Sequence, residues 1–184
     1  MKKLFATLFI CGTIFLQSVG QISVNILPTY NIIKSDFTTA GFGIETGVRF
    51  RSSKIFLIGF DAGYHLGKLR TPQTVTSFGG VPFTYYSGEH SYIPVQGILE
   101  LQSINHKIQF LGGLGLGMAL WNASSVETSV LTSYHLGFSY RLNDKMRILA
   151  KMKQNIGVFL PRKQDVSGSF TSSNISLGIN YQFK

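Results

Sequence analysis

Nine residues near the end of this chain constrain its fold more than any other segment. Ile175, Leu177, Ile179, Tyr181 and Phe183 alternate without a break with Ser176, Gly178, Asn180 and Gln182, and only Lys184 follows. A period of two belongs to a β-strand that shows a different surface on each side. Here one surface is large and aliphatic, turning aromatic at its end, and the other is small and polar.

The same contrast recurs seven times upstream. Apolar positions at alternate residues mark strands at Ile22–Ile32, Phe42–Phe50, Phe56–Leu66, Ile93–Leu101, Ile108–Leu120, Tyr134–Leu142 and Met146–Val158. Each stretch runs for roughly 9–14 residues, enough for a tilted strand to cross a bilayer. The connections also alternate in length. Residues 51–54, 103–107 and 143–145 read as tight turns, whereas 33–40, 67–90, 122–130 and 161–173 read as longer loops on the opposite side. Pro28 and Pro94 fall inside strands, where a missing N–H predicts local bulges.

Past residue 20, no uninterrupted apolar run reaches the ~18 residues of a spanning helix. Any crossing of a membrane is then by strands, and only a closed barrel satisfies every backbone group in lipid. The fold class expected is all-β, an eight-stranded antiparallel up-and-down transmembrane β-barrel. The competing architecture is a soluble ligand-binding barrel of lipocalin type. That fold would turn the large aliphatics inward and leave a glycine-rich, weakly charged exterior.

With the aliphatics outward, the opposite phase lines the lumen. It carries Glu45, Arg49, Asp61 and Glu100 on the first half of the barrel, and Arg141, Arg147, Lys151 and Lys153 on the second. The interior of an eight-stranded barrel is just filled by side chains, and unpaired charge there is costly. Glu45, Arg49, Asp61, Glu100, Arg141, Arg147 and Lys151 are therefore expected to form a paired lumen network, with a conducting pore as the other reading. Aromatics cluster towards strand ends: Tyr30, Phe42, Tyr64, Trp121 and Tyr134 at one, Phe50, Phe56, Phe110, Tyr181 and Phe183 at the other. Two interfacial girdles follow from that placement.

Few residues suggest chemistry. His65 and His135 point inward near the rim on the long-loop side, with Ser133 and Ser139 bracketing His135 and Asp61 four residues before His65. A nucleophile, base and orienting acid can be imagined there. No known catalytic or metal-ligand spacing appears, so no catalytic residue, metal or cofactor is expected. The loop at 67–90 carries Phe78, Phe83, Tyr85 and Tyr86. These read either as part of an extended hairpin or as a contact surface for a partner protein or glycan.

The N-terminus bears on location. Lys2 and Lys3, the apolar run 4–16, and Ser18, Val19 and Gly20 have the outline of a secretory signal peptide over residues 1–20, leaving 21–184 as one domain. Cys11, the only cysteine, follows Phe9 and Ile10 in mid-run, which is not the setting of a lipidated cysteine. Losing Lys2 and Lys3 from the 17 lysines and arginines leaves 15 against eight carboxylates. This positive charge is dispersed and partly inside the lumen, which with export argues against nucleic-acid binding.

The leader, the eight alternating strands and the ending Ile175-Ser-Leu-Gly-Ile-Asn-Tyr-Gln-Phe183-Lys184 resemble the small outer-membrane β-barrel proteins of the porin-like superfamily, of OmpA, OmpX and PorT type. The resemblance is one of pattern over the whole exported region. It implies an integral protein of the outer membrane of a Gram-negative envelope, exported through a cleavable signal, with Tyr181 and Phe183 in the sorting signal. Outer-membrane lipid, periplasmic chaperones and the barrel-assembly machinery are the implied partners, with a surface protein or glycan as a further one and a monomer as the state. Members of this superfamily vary widely in role, and the function expected here is non-enzymatic, in envelope structure or in surface interaction through the outer loops. A narrow passive channel for small solutes is the alternative, and an envelope lipid hydrolase or acyltransferase a distant one.

Overall fold

The computed structural model describes residues 21–34, 38–68, 75–76, 82–83, 89–104, 107–122, 126–161 and 169–183. The reading of 1–20 as a signal peptide lies outside these residues. In chain order the strands are β1 (Ile22–Lys34), β2 (Thr38–Arg51), β3 (Phe56–Lys68), β4 (Val75–Thr76), β5 (Pro82–Phe83), β6 (Glu89–Gln102), β7 (Ile108–Asn122), β8 (Val126–Arg141), β9 (Met146–Pro161) and β10 (Ser169–Phe183). Eight of them close into one antiparallel barrel in the order β1-β10-β9-β8-β7-β6-β3-β2, and β4 and β5 form a separate ribbon between β3 and β6.

Closure is made by the segment with the cleanest alternation. β10 pairs with β1 in a constant register from Ile22 opposite Phe183 to Lys34 opposite Thr171. Each barrel strand thus has a hydrogen-bonded neighbour on both sides and no edge remains, the condition a sheet must meet in hydrocarbon.

The turns at the end of the barrel shared with Gln21 are built by short side chains that bond the backbone. Ser53 Oγ accepts from the N–H of Ile55 and Phe56. Asn143 Oδ1 accepts from the N–H of Lys145 and Met146 at 2.9 Å each. Such local acceptors compete with the ladder and stop a strand where it must reverse.

Three sequence expectations are corrected. The connections read as long at 33–40 and 122–130 are mostly strand, because pairing continues to Lys34 opposite Thr38 and β8 begins at Val126. A ladder needs only backbone partners, so it extends past the last apolar side chain. The contrast between short turns and long loops therefore rests on the β3–β6 and β9–β10 connections alone. Second, Pro28 and Pro94 produce no bulge. Pro28 stays opposite Ile44 and Pro94 opposite Ala119 in unbroken registers. A strand residue's N–H serves one neighbour only, so a proline weakens one side of its strand and the register survives. Among the described residues the single register shift lies between Val126 and Thr128. Third, Trp121 belongs to no outer girdle, since it packs against the buried cluster of the lumen.

Apolar side chains lie outside and charged ones inside, the reverse of a soluble protein. Phe42 is 72% exposed, and Phe110 and Leu136 are each 68% exposed, whereas Arg49, Asp61, Lys151 and Lys153 are buried. Soluble monomers seldom expose apolar patches beyond a few hundred Å². This distribution counts against the lipocalin-type barrel.

Glycines bring the strands close inside. A Cβ on Gly117 would lie 2.0 Å from the Val95 carbonyl oxygen, whereas on Gly97, facing outward, its nearest neighbour would be 3.8 Å away. Overpacking costs about 1–3 kcal/mol. Gly117→Ala should therefore lower the stability of the refolded barrel by that amount and Gly97→Ala should leave it unchanged, as read from urea unfolding in lipid vesicles.

Candidate functional site

The candidate site is the lumen, and one strand reads out its layers. From the turn end upwards, the inward side chains of β9 are Arg147, Leu149, Lys151, Lys153 and Asn155, then Gly157. Each meets a different chemical layer contributed by the strands around it.

Leu149 joins Leu27 and Leu111 in a small apolar cluster. Below it a cavity of about 30 Å³ is lined by Ser23, Asn25, Arg49, Gln109, Arg147 and Asn180 among others. That is room for one or two waters.

Lys151 and Lys153 lie in the charged layer. Arg49 donates from Nη1 to Asp61 Oδ1 at 2.7 Å and from Nε to Glu100 Oε2 at 3.4 Å. Lys151 Nζ stands 3.3 Å from both Asp61 Oδ2 and Glu45 Oε2. Lys153 Nζ lies 3.4 Å from Glu45 Oε2 and 3.7 Å from Asp61 Oδ2. Three carboxylates thus face three cations, all buried. Charges removed from water are tolerated when they are mutually compensated and hydrogen-bonded in this way.

The histidines close the two ends of this chain of contacts. His135 Nε2 is 2.9 Å from Glu100 Oε2, and His65 Nε2 is 3.5 Å from Glu45 Oε1. Both point inward and are buried, His65 at 0% and His135 at 1% exposed. The serines bracketing His135 are engaged elsewhere: Ser133 donates to Gln96 Oε1, and Ser139 accepts from Arg147. No hydrogen bond joins a serine to either histidine among the described residues.

Above the charges lies a layer of amides and hydroxyls. Asn174 donates to Glu45 Oε1 at 2.8 Å, Ser172 donates to Asn174, and Asn155 donates to Ser172. The Tyr92 hydroxyl shares a 3.1 Å bond with Ser172. The Tyr92 ring begins an aromatic plug: it stacks on His65 and on Trp121, each with centroids 4.7 Å apart, and Trp121 meets Phe170 edge-on at 5.0 Å. Ile33, Ala119 and Leu131 fill in around it. Gly157 makes this possible, since a Cβ there would fall 2.1 Å from the Phe170 ring.

Of the residues expected in the network, Glu45, Arg49, Asp61, Glu100 and Lys151 come together, and Lys153 joins them. Arg147 sits one layer lower beside Ser139. Arg141 is partly exposed at the turn end, where it pairs with Asp144 of its own turn instead of a lumen carboxylate. Tyr181 and Phe183 make an edge-on pair at 4.9 Å on the outward face of β10. Phe78, Tyr85 and Tyr86 lie outside the described residues, and Phe83 belongs to the β5 ribbon.

The plug and the lower leucine cluster are absent from the sequence reading. Their signal is present as breaks in the alternation, where two large apolar residues adjoin: Ile32-Ile33, Phe110-Leu111, Val130-Leu131 and Ile148-Leu149.

Arg49 holds two of the three carboxylates. Arg49→Ala should cost about 3–5 kcal/mol, the effect of leaving buried charge uncompensated. Arg141→Ala, at an exposed pair, should cost no more than about 1 kcal/mol. Urea unfolding of the two variants in lipid vesicles measures both.

No family model and none of the curated proteins matches this chain. Solved structures do. Neisserial surface protein A is 15% identical with a TM-score of 0.61, the match covering 89% of this chain and 99% of that one. The attachment invasion locus protein Ail of Yersinia pestis is 17% identical over 90% of this chain and 99% of its own, with a TM-score of 0.49. A de novo designed transmembrane β-barrel is 12% identical over 90% and 97%, also at 0.49. The likeness to Neisserial surface protein A shows the fold alone: the chain has the architecture of the small eight-stranded outer-membrane β-barrels.

Proposed function

We propose that this chain is an integral outer-membrane protein whose filled lumen neither conducts nor catalyses, and whose outer loops act in envelope structure or surface interaction. A protein or glycan at the cell surface is the partner this reading implies, and its export depends on residues 1–20. The observation that carries it is the stacking of closed layers in the lumen. A pore would need a continuous open path, yet the Tyr92–Trp121–Phe170 plug caps the charged layer on the loop side, and the cavity at the turn end holds only about 30 Å³. The charges between them are matched to one another and leave no cation or carboxylate of that layer without a counter-charge.

Catalysis is served poorly by the same arrangement. Both histidines are buried against carboxylates, and burial on this scale keeps a substrate away from them. What remains for interaction is the connection between β3 and β6. It leaves the barrel at the Lys68–Glu89 pair and carries the β4–β5 ribbon and the aromatics Phe78, Phe83, Tyr85 and Tyr86. Rigid barrels commonly present recognition on such loops.

Four measurements test this reading. The protein should fractionate with outer membranes, migrate differently on gels before and after heating, and give no steady single-channel steps in planar bilayers; regular steps would overturn the filled-lumen reading. Replacing residues 69–88 with a short turn should leave heat-modifiability intact and abolish binding of expressing cells to surfaces coated with matrix protein or glycan. Unchanged binding would remove the loop from the proposal.

A further inference from the structure

The outward face of β9 is apolar at every position but one. Ile148, Ala150, Met152, Ile156, Val158 and Leu160 point outward, and Gln154 stands in the middle of them. Its neighbours in register are Tyr134 on β8 and Ser173 on β10. These three make one short polar row across three adjacent strands. Directly below is the apolar row Leu136, Met152 and Ile175, which are also partners in register.

The row is only partly satisfied. Ser173 donates to Gln154 Oε1 at 2.6 Å, which fixes the amide with its Nε2 donor unused, and no other hydrogen bond of Gln154 or Tyr134 is found among the described residues. In the next row towards the loops Thr132 and Thr171 flank Ile156, so Gln154 stands at the border of the apolar band, where its free donor takes an acceptor from outside the protein. A hollow of about 270 Å³ lies against the row, lined by Tyr134, Leu136, Met152, Gln154, Ser173 and Ile175, and by Lys153 and Asn174, whose side chains are buried in the lumen. A second, of about 300 Å³, continues it towards the turn end past Phe138, Ala150 and Ser176. The small Ala150 sits opposite Phe138 and Leu177 and leaves the trough between them shallow. From Gln154 to Ala150 the trough follows about 13 Å of strand.

One end of this groove offers uncharged hydrogen-bonding groups, and the rest offers only hydrocarbon contact. No lysine or arginine occupies the outward face of β8, β9 or β10 beside it. That composition suits a neutral carbonyl better than a phosphate. Resting on the membrane reading above, we propose that the β8–β9–β10 face binds one membrane lipid through its acyl linkage: the linkage carbonyl accepts from Gln154 Nε2 beside Tyr134 and Ser173, and the attached chain lies over Met152 and Ala150.

The test uses the full-length folded barrel and two phosphatidylcholines of equal chain length, one with ester-linked and one with ether-linked chains, since the ether lacks the carbonyl. Native mass spectrometry after release from detergent should show one ester lipid retained about fivefold more than the ether lipid, the size of one net hydrogen bond. Gln154→Leu and Ser173→Ala should bring ester retention down to the ether level. Equal retention of the two lipids by the unaltered protein overturns the site, as does a Gln154→Leu barrel that still prefers the ester. A mass of two protein chains that disappears in Gln154→Leu would assign the groove to a second copy instead. Loss of heat-modifiability in the unaltered protein would count against the membrane reading itself, separately from the site.

Discussion

A backbone N–H facing hydrocarbon has no water to turn to, and every other feature of this chain follows from how that requirement is met. The β1–β10 seam meets it by joining the two ends of the described chain in one register, Ile22 opposite Phe183, so that the sheet has no edge. Closure then fixes which side chains face which solvent. Most large aliphatics turn to the lipid side, and the alternate positions, with a few leucines and isoleucines among them, are packed together in the interior. Two prolines are tolerated because each removes a donor on one side only, and the seam and its neighbours keep their registers around them.

The crowded interior solves a second problem, that of holding charge without water. The solution is layered. Arg49, Lys151 and Lys153 face Glu45, Asp61 and Glu100 within one belt, and an amide and hydroxyl layer links Glu45 to Tyr92. The aromatic plug caps the belt on the loop side, and Leu27, Leu111 and Leu149 pack together towards the turn end. The energetic sense of this order is that burial strengthens the internal pairs and makes removal of any one member costly. A lumen of this kind braces the barrel from within.

Much of the architecture was legible beforehand because a strand's period of two is a local property. Strand number, inward and outward phase, and the barrel positions of Glu45, Arg49, Asp61, Glu100 and Lys151 all follow from alternation alone. The extent of strands was less legible. Residues 33–40 and 122–130 looked like loops because their side chains are polar, yet pairing is a backbone matter and carried the ladder through most of both. Arg141 and Trp121 show another limit. Phase puts Arg141 inward, but its height at the turn end gives it Asp144 as a partner. Trp121 sits at a strand end like a girdle residue, but its phase turns it into the plug.

The sequence by itself determined that the chain forms eight two-faced strands and that its apolar face is the larger one, since both depend on residues two apart. Only the tertiary structure decided which charges meet, what plugs the lumen, and where a polar row borders the lipid face. Those are contacts between strands far apart in the chain, such as Lys153 with Glu45 or Gln154 with Ser173. Their heights in the barrel depend on strand register and stagger, which no local pattern encodes.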